Sequence, residues 1–174
     1  MDWLLTPIEL VRALLEEGGS ILWVILIVTL FMWTLILERY AYFLIIYPAK
    51  HKQIIEQWQQ REDRSSWNAR RIRDYIVAET SLVLRRFLLP IRTMTIILPL
   101  LGLLGTVEGM IKAFNVLSVF GTGNARGLAQ GVSLALVTTM AGLMASLSGL
   151  YFSANLDHRA DNEAHRLAHK LRLQ

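Results

Sequence analysis

Three long apolar stretches divide the chain, and each is long enough to form a membrane-spanning helix. The first, residues 18–37, has 20 residues without a charge, about the length a helix needs to cross the hydrocarbon core of a bilayer. The second, 93–120, carries one Glu and one Lys. The third begins at Gly127 and runs for 30 residues without a charge, so we expect it to be tilted or to extend beyond the bilayer. The pattern predicts three spans, at 18–37, 93–120 and 127–153.

The segment between the first two spans, residues 38–92, has the periodicity of helices rather than of a disordered linker. We predict helices over roughly 51–61 and 66–89, with Ser65 or Ser66 capping the second. That helix is expected to run into the second span with only a bend at Pro90 and Pro99. The tail, 154–174, continues the third span as a long helix, because its apolar residues recur at steps of three and four. The apolar stripes are formed by Ile54, Ile55, Trp58, Ile72, Ile76, Val83, Phe87, Leu156, Ala160, Ala164, Leu167 and Leu171.

The distribution of Lys and Arg predicts the orientation. Eleven of these residues lie in 38–92 and four in the tail, against one in residues 1–17. Because cytoplasmic loops carry the excess of Lys and Arg, we expect 38–92 and 154–174 to lie inside. Residues 1–17 and the short loop 121–126 would then lie outside.

The amino-acid composition also indicates which class of protein this is. The chain is 53% hydrophobic with a mean hydropathy of +0.39, which is typical of an integral membrane protein. It has no cysteine, which excludes disulfides and thiolate metal sites. The net charge of +4 does not indicate nucleic-acid binding, because the basic residues lie between the spans rather than in one patch.

Small residues recur in the second and third spans, and this spacing predicts close helix packing. In the third span a seam with a period near 3.5 has steps of 4, 3, 4, 3 and 4, formed by Gly131, Ala135, Thr138, Gly142, Ala145 and Gly149. The candidate packing residues are Gly102, Gly105, Gly109, Gly131, Ala135, Gly142, Ala145 and Gly149.

Polar side chains among these glycines are the candidates for an ion pathway: Thr106, Glu108, Thr138 and Thr139. Glu108 has two interpretations, a carboxyl that carries protons within the membrane or an ion pair with Lys112, four residues on. Thr138 and Thr139 also have two interpretations. Their hydroxyls could line the ion pathway, or they could simply donate hydrogen bonds to carbonyls of their own helix. Spacing alone does not choose between them.

The sequence gives little indication of a metal site or of a catalytic site. His158, His165 and His169 share a helical face in the tail, but an isolated His pair on a solvated basic helix rarely binds metal. Motifs for phosphate-binding loops, serine hydrolases and zinc proteases are absent from the sequence. We therefore expect no cofactor, no metal and no enzymatic activity.

Three motifs resemble the ExbB, TolQ and MotA family of proton-channel subunits. They are Gly18-Gly19 with Leu22-Trp23 and Leu37-Glu38-Arg39-Tyr40; Pro99-Leu100-Leu101-Gly102-Leu103-Leu104-Gly105-Thr106-Val107 with Gly109-Met110; and Leu134-Ala135-Leu136-Val137-Thr138-Thr139 with Ala141-Gly142-Leu143. The likeness covers all three spans in order. The short N-terminus and the length of 174 residues favour the ExbB branch in its short form.

The resemblance implies an all-helical ring, typically a homopentamer, in the bacterial inner membrane. The ring would surround the single-span helices of two ExbD-like subunits, each with an intramembrane aspartate, and would drive a TonB-like protein that energises outer-membrane transport. Within it Thr106 and Thr139 match the threonines of the family's second and third spans. Glu38-Arg39 matches the cytoplasmic membrane edge of the first span.

One departure from the family concerns Leu134, where many ExbB proteins have a glutamate. Glu108 stands where the family usually has an uncharged residue, so the carboxyl could have moved between spans. If Thr106 were level with Thr139 in an antiparallel pair, Glu108 would lie about 3 Å outward and Leu134 about 7–8 Å outward. A relocated carboxyl would then lie at a different depth.

Two alternatives remain at the level of sequence. A TolQ-like subunit would serve envelope integrity and would co-purify with a TolA-type protein rather than a TonB-type protein. A three-span scaffold without ion conduction would use its small residues for packing alone.

Overall fold

The computed structural model of the protein describes residues 19–61, 66–121 and 124–173. The described chain forms α1 (Gly19–Ala41), α2 (Tyr47–Gln59), α3 (Trp67–Arg85), α4 (Leu88–Phe120) and α5 (Ala125–Leu173), and a π-helical segment, Tyr42–Ile46, joins α1 to α2. The prediction of an all-helical protein is confirmed for these ranges. The predicted segment 1–17 and the first residue of the first span lie outside the described residues.

Among the described residues, three helical stretches are long and apolar enough to cross a membrane, as the sequence predicts: Gly19–Gln59, Trp67–Val119 and Ala125–Leu171. Each covers all or nearly all of a predicted span together with most of the helix expected to follow or precede it.

The connection between α3 and α4 differs from the sequence prediction. Ser66 caps α3 as predicted, since its hydroxyl accepts a hydrogen bond from the Ala69 N–H at 3.1 Å. However, α3 ends at Arg85, and Phe87 has a φ of 66°. The prediction that this helix runs on to residue 89 with only a bend at Pro90 is therefore wrong. The chain turns before the proline, which the first turn of α4 accommodates.

The described chain divides into two compact units. The first contains residues 19–32 and 93–150, apart from 122–123, and the second contains 33–92, apart from 62–65, and 151–173. In the first unit α1, α4 and α5 bury Met32, Leu98, Thr138, Leu22 and Leu134. Large apolar side chains also cover its outside, among them Leu103, Leu104, Leu136, Met140 and Met144. Such a surface suits lipid or further subunits rather than water.

Pro99 lies inside α4, and the helix continues past it. Because proline has no backbone N–H, the carbonyl of Thr95, four residues earlier, lacks its usual helical donor. Ser146 of α5 donates its hydroxyl to this carbonyl at 2.6 Å. A hydroxyl from a neighbouring helix thus satisfies the backbone group that the proline leaves, which is one way membrane helices tolerate proline.

We expect Ser146→Ala to lower the free energy of unfolding by about 1 kcal/mol, since hydrogen bonds between membrane helices average ~0.6 and reach ~1.7 kcal/mol. Denaturation with sodium dodecyl sulfate in mixed micelles measures this. In a Pro99→Ala background residue 99 supplies an N–H to Thr95, so Ser146→Ala should cost less there. An equal cost in both backgrounds would show that Ser146 stabilises the fold in some other way.

The second unit has its own core. Trp58 of α2 and Ala69 of α3 pack with Leu167 and Leu171 of α5, and the half-buried apolar residues around them include Ile54, Ile55, Ile72 and Ile76. Apart from Ala69, these are residues of the predicted apolar stripes. The stripes of the long loop and of the tail therefore face one another.

Candidate functional site

The small residues of the second and third spans bring α4 and α5 close together. A methyl group built on Gly109 would lie 2.7 Å from the Gly131 carbonyl oxygen and 2.8 Å from Ala135 Cβ. On Gly105 it would overlap the side chain of Thr138. Only hydrogen fits at these positions. A methyl group would also clash at three further glycines: at Gly131 with Ala113, at Gly142 with the Leu98 carbonyl, and at Gly149 with Met32 and Thr95. Gly102 is in close contact with Thr138 and Thr139. Ala145 is half-buried.

The register of this helix pair differs from the expected one. Thr139 donates its hydroxyl to the carbonyl of Gly102 at 3.3 Å, so Gly102, not Thr106, is level with Thr139. The assumed register is wrong by about one helical turn. As a result Glu108 and Leu134 reach the same place: a methyl group on Gly19 would lie 3.6 Å from Glu108 Oε1 and 3.2 Å from Leu134 Cδ1. The expectation that a relocated carboxyl would lie at a different depth fails with the register.

The three threonines differ in environment. Thr138 is fully buried, and its hydroxyl donates to the Leu134 and Ala135 carbonyls of its own helix, both at 3.0 Å. Thr139 is half-buried and its hydroxyl reaches two carbonyls, that of Gly102 and that of Ala135 at 3.1 Å. Thr106 is also half-buried and donates to Leu103 at 2.6 Å. Thr138 thus occupies a packing position, whereas Thr106 and Thr139 retain accessible surface.

Glu108 lies beside the start of α1. Its Oε1 is 2.8 Å from Lys112 Nζ and accepts a hydrogen bond from Ser20 Oγ at 3.2 Å. Gly19 has a φ of 65°, which only glycine adopts readily, so α1 begins at this point. The unpaired N–H groups of a first helical turn attract negative charge. The carboxylate therefore joins α4 to the start of α1, and the ion pair of the second interpretation is present.

Lys112 and Glu108 are not equally accessible. The lysine side chain is 51% exposed and the glutamate 24%, so the lysine can leave the pair by a side-chain rotation while the carboxylate stays in place. This geometry is compatible with Glu108 anchoring α1 and also with Glu108 taking up and releasing a proton. The proton-carrying interpretation of Glu108 stays a prediction.

Arg39 is buried in the second unit, with 3% of its surface exposed. Its guanidinium lies 5.2 Å from the ring centre of Tyr42 and 4.9 Å from that of Phe87. It donates a hydrogen bond to the Val83 carbonyl at 3.3 Å, and its Nε is 3.3 Å from a carboxylate oxygen of Glu38. Arg39, which the family resemblance implies is at a membrane edge together with Glu38, thus also forms a contact between α1 and the end of α3.

An apolar groove of about 340 Å³ separates parts of α1 and α5 in the first unit. Leu22, Ile25, Val137 and Met140 are among its lining residues. Its one hydroxyl from α1, that of Thr29, donates to the Ile25 carbonyl of its own helix at 2.7 Å. A groove of this kind offers an ion little coordination, so the polar side chains along α4 and α5 are better candidates for an ion pathway.

Sequence reasoning missed two residues that the structure brings to this region, Ser146 and Ser20. A signal existed for Ser146, because a proline inside a span frees a carbonyl that a neighbouring hydroxyl can satisfy. None existed for Ser20, whose contact depends on the register between α1 and α4. Within the described ranges, no three His, Asp or Glu side chains are grouped so that they could hold a metal ion.

Comparison with known proteins gives one family. The family described as the MotA/TolQ/ExbB proton channel family matches residues 48–169, more than two thirds of the chain. A biopolymer transport protein of Synechocystis sp. named ExbB-like 3 is 40% identical over 73 residues, which are 41% of this chain and 35% of that protein. A second protein of the same organism, ExbB-like 1, is 44% identical over 63 residues, 34% of this chain and 25% of its own length. The chain therefore spans about a third or less of these relatives, and no solved structure matches it.

Proposed function

The chain belongs to the MotA/TolQ/ExbB proton channel family, and from this premise we propose that it is an ExbB-like subunit of a proton-driven motor in the bacterial inner membrane. It would act with an ExbD-like single-span subunit and transmit motion to a TonB-like protein that energises outer-membrane transport. The names of the two Synechocystis relatives support the ExbB branch.

The observation that carries this proposal is the pair of half-buried hydroxyls on α4 and α5. Thr106 and Thr139 keep part of their surface accessible in spans whose other exposed residues are mostly large and apolar. Each hydroxyl donates to a carbonyl of its own helix, yet its oxygen can still accept a hydrogen bond, which lipid does not supply and which protein or water does. An acidic side chain of a partner helix could exchange hydrogen bonds with them as it takes up and releases a proton.

Assembly into a ring follows the same reasoning. In the most apolar part of each of the three spans, 22%, 28% and 28% of the residues are buried within one chain. Most of their surface is therefore left for lipid, further copies and a partner. We propose the homopentamer that the family resemblance implies. The N-terminus would be periplasmic, and the Lys- and Arg-rich loop and tail cytoplasmic.

The energy available suits a motor that works stepwise. Each proton that crosses about 100 mV releases about 2.3 kcal/mol. That is enough to bias one conformational step, so sustained work needs several protons. Thr106, Thr139 and Glu108 are the residues of this chain that we place on the pathway.

We expect Thr139→Val and Thr106→Val each to lower proton flux about tenfold, because a hydrogen bond worth about 1.4 kcal/mol in the rate-limiting step changes a rate by that factor. Flux is measured with a pH-sensitive dye in vesicles that hold this chain and its single-span partner. Valine keeps the shape of threonine, so packing should be retained.

Thr29→Val is the matched control. This threonine also bonds to a carbonyl of its own helix but lies on α1, and its loss should leave the flux unchanged. If all three variants conduct as the unchanged chain does, the chain is a scaffold without an ion pathway. Co-purification decides the branch, since a TolA-type partner in place of a TonB-type one would show a TolQ-like subunit.

A further inference from the structure

A cleft of about 560 Å³ in the second unit lies between α2 and the distal part of α5. Four cationic side chains line it: Lys52, Arg159, Arg166 and Lys170. Among the described residues that line the cleft, Glu163 is the one carboxylate, and it already pairs with Arg166 at 3.2 Å. The cleft therefore has an excess of positive charge that its own described residues do not neutralise.

A directed chain of contacts crosses this cleft. Tyr47 donates its hydroxyl to the Glu163 carbonyl at 3.4 Å, so its oxygen can accept from His51 Nδ1, 3.3 Å away. With the proton on Nδ1, the other ring nitrogen, Nε2, is free to accept from Lys170 Nζ at 3.4 Å. This order of donors requires a neutral His51. A second proton would set an N–H on Nε2 against the Lys170 ammonium.

We propose that this cleft is a binding site for a tetrahedral oxyanion, the phosphate group of a lipid with a net negative charge or a free phosphate-type anion, held by Lys170, Lys52 and Arg159 with His51 as a proton-linked ligand. Ammonium and guanidinium groups are the side chains that bind phosphate in proteins. The anion would supply the negative charge that the cleft lacks. The site is independent of the proton pathway proposed above.

The charges around His51 set the direction of its pH dependence. Burial lowers the pKa of His51, Lys170 lowers it further, and Glu163 acts in the opposite direction. The other charged or titratable groups that face the cleft are Lys52, next to the histidine in sequence, Tyr47, four residues before it, and Arg159 and Arg166 from α5. Without an anion His51 stays neutral as the pH falls to its ordinary titration range, whereas the unfolded chain takes up a proton. Stability is then lost toward acid pH.

A bound anion reverses this tendency. An opposite charge within about 4–6 Å raises the pKa of a histidine by about 1–3 units. By reciprocity the anion binds the protonated form more tightly. We therefore expect the affinity for the anion to rise at least about tenfold between pH 8 and pH 5.

The test uses the full chain with labelled histidine in nanodiscs, and it follows the titration of His51 by NMR, with His51→Gln identifying its signal. One arm holds phosphatidylcholine and is titrated with sulfate, whose charge does not change in this pH range, at constant ionic strength. The other arm replaces part of the lipid by phosphatidylglycerol without sulfate. A rise in the pKa of His51 in the first arm supports a free anion, and a rise in the second alone supports a lipid headgroup. No rise in either overturns the proposal.

Three variants make the result specific. Lys170→Gln should lower the affinity about tenfold, while Arg70→Gln removes the same charge from an exposed position of α3 outside the cleft and should have little effect. His51→Gln should remove the pH dependence of binding. Equal losses in Lys170→Gln and Arg70→Gln, or an unchanged pH dependence in His51→Gln, would count against a built site. Circular dichroism and the mass of the complex verify that each variant is folded.

Discussion

Glu108→Gln is expected to reduce proton flux to the leak of empty vesicles, and Leu134→Glu in the same chain is expected to restore it. The reason is the register of α4 and α5. Glu108 Oε1 and Leu134 Cδ1 both lie next to Gly19, so a carboxyl on either helix would occupy the same level of the membrane. Lys112 Nζ lies next to Gly19 as well, 3.2 Å from a methyl group built there, so a glutamate at position 134 would find the same cation.

Lys112→Gln separates the two roles of this carboxyl. If Glu108 only anchors α1, removing either partner of the ion pair should lower stability and flux by the same amount. If Glu108 carries protons, Lys112→Gln should keep most of the flux while Glu108→Gln loses it. Failure of Leu134→Glu to restore flux in a folded, correctly assembled Glu108→Gln chain would contradict a relocated carboxyl. Flux and the size of the complex are measured on the same vesicles.

The second large effect is expected at Gly109. Gly109→Val should lower the free energy of unfolding by about 1–3 kcal/mol or more, the usual range for an overfilled interface. The new side chain would meet the Gly131 carbonyl and the Ala135 backbone nitrogen, and backbone atoms cannot move aside by a rotamer change. Because α4 and α5 would have to separate, the assembled complex should be lost too. Denaturation in mixed micelles and the mass of the purified complex report the two effects.

Leu104→Val is the control for the valine itself. It places a β-branched residue in the same helix at a position that is 53% exposed. Its small cost should be that of helix propensity alone. If both variants were equally stable, the contact between α4 and α5 at Gly109 would not limit the packing of the spans.

Much of the fold follows from local patterns. The three spans, the helices in the long loop and the cap at Ser66 are predicted by apolar periodicity, length and a capping hydroxyl, all of which act within a few residues. The end of α3 does not follow. The sequence marks Pro90 as the bend, but the chain turns at Phe87, where a bulky residue adopts a positive φ because tertiary contacts hold it there.

The candidate site divides in the same way. The sequence identifies Gly102, Gly105 and Gly109 as close contacts but does not give the register between helices, because a shift of one turn keeps the same face toward the partner. That shift decides whether Glu108 and Leu134 are neighbours. Likewise the contact between Ser20 and Glu108 joins residues 88 positions apart, which no local pattern predicts.

Phe87 has a consequence for how the second unit responds to force. It is the non-glycine residue with a positive φ among the described positions, and that conformation costs about 1–2 kcal/mol. Its ring lies 4.9 Å from the Arg39 guanidinium and 5.0 Å from that of Arg86, and such cation–π contacts contribute about 0.5–2 kcal/mol each. A glycine would adopt this positive φ without strain but would leave the backbone between α3 and α4 flexible. With phenylalanine the backbone at this turn has less conformational freedom. A displacement of Arg39 is therefore transmitted to the α3–α4 junction.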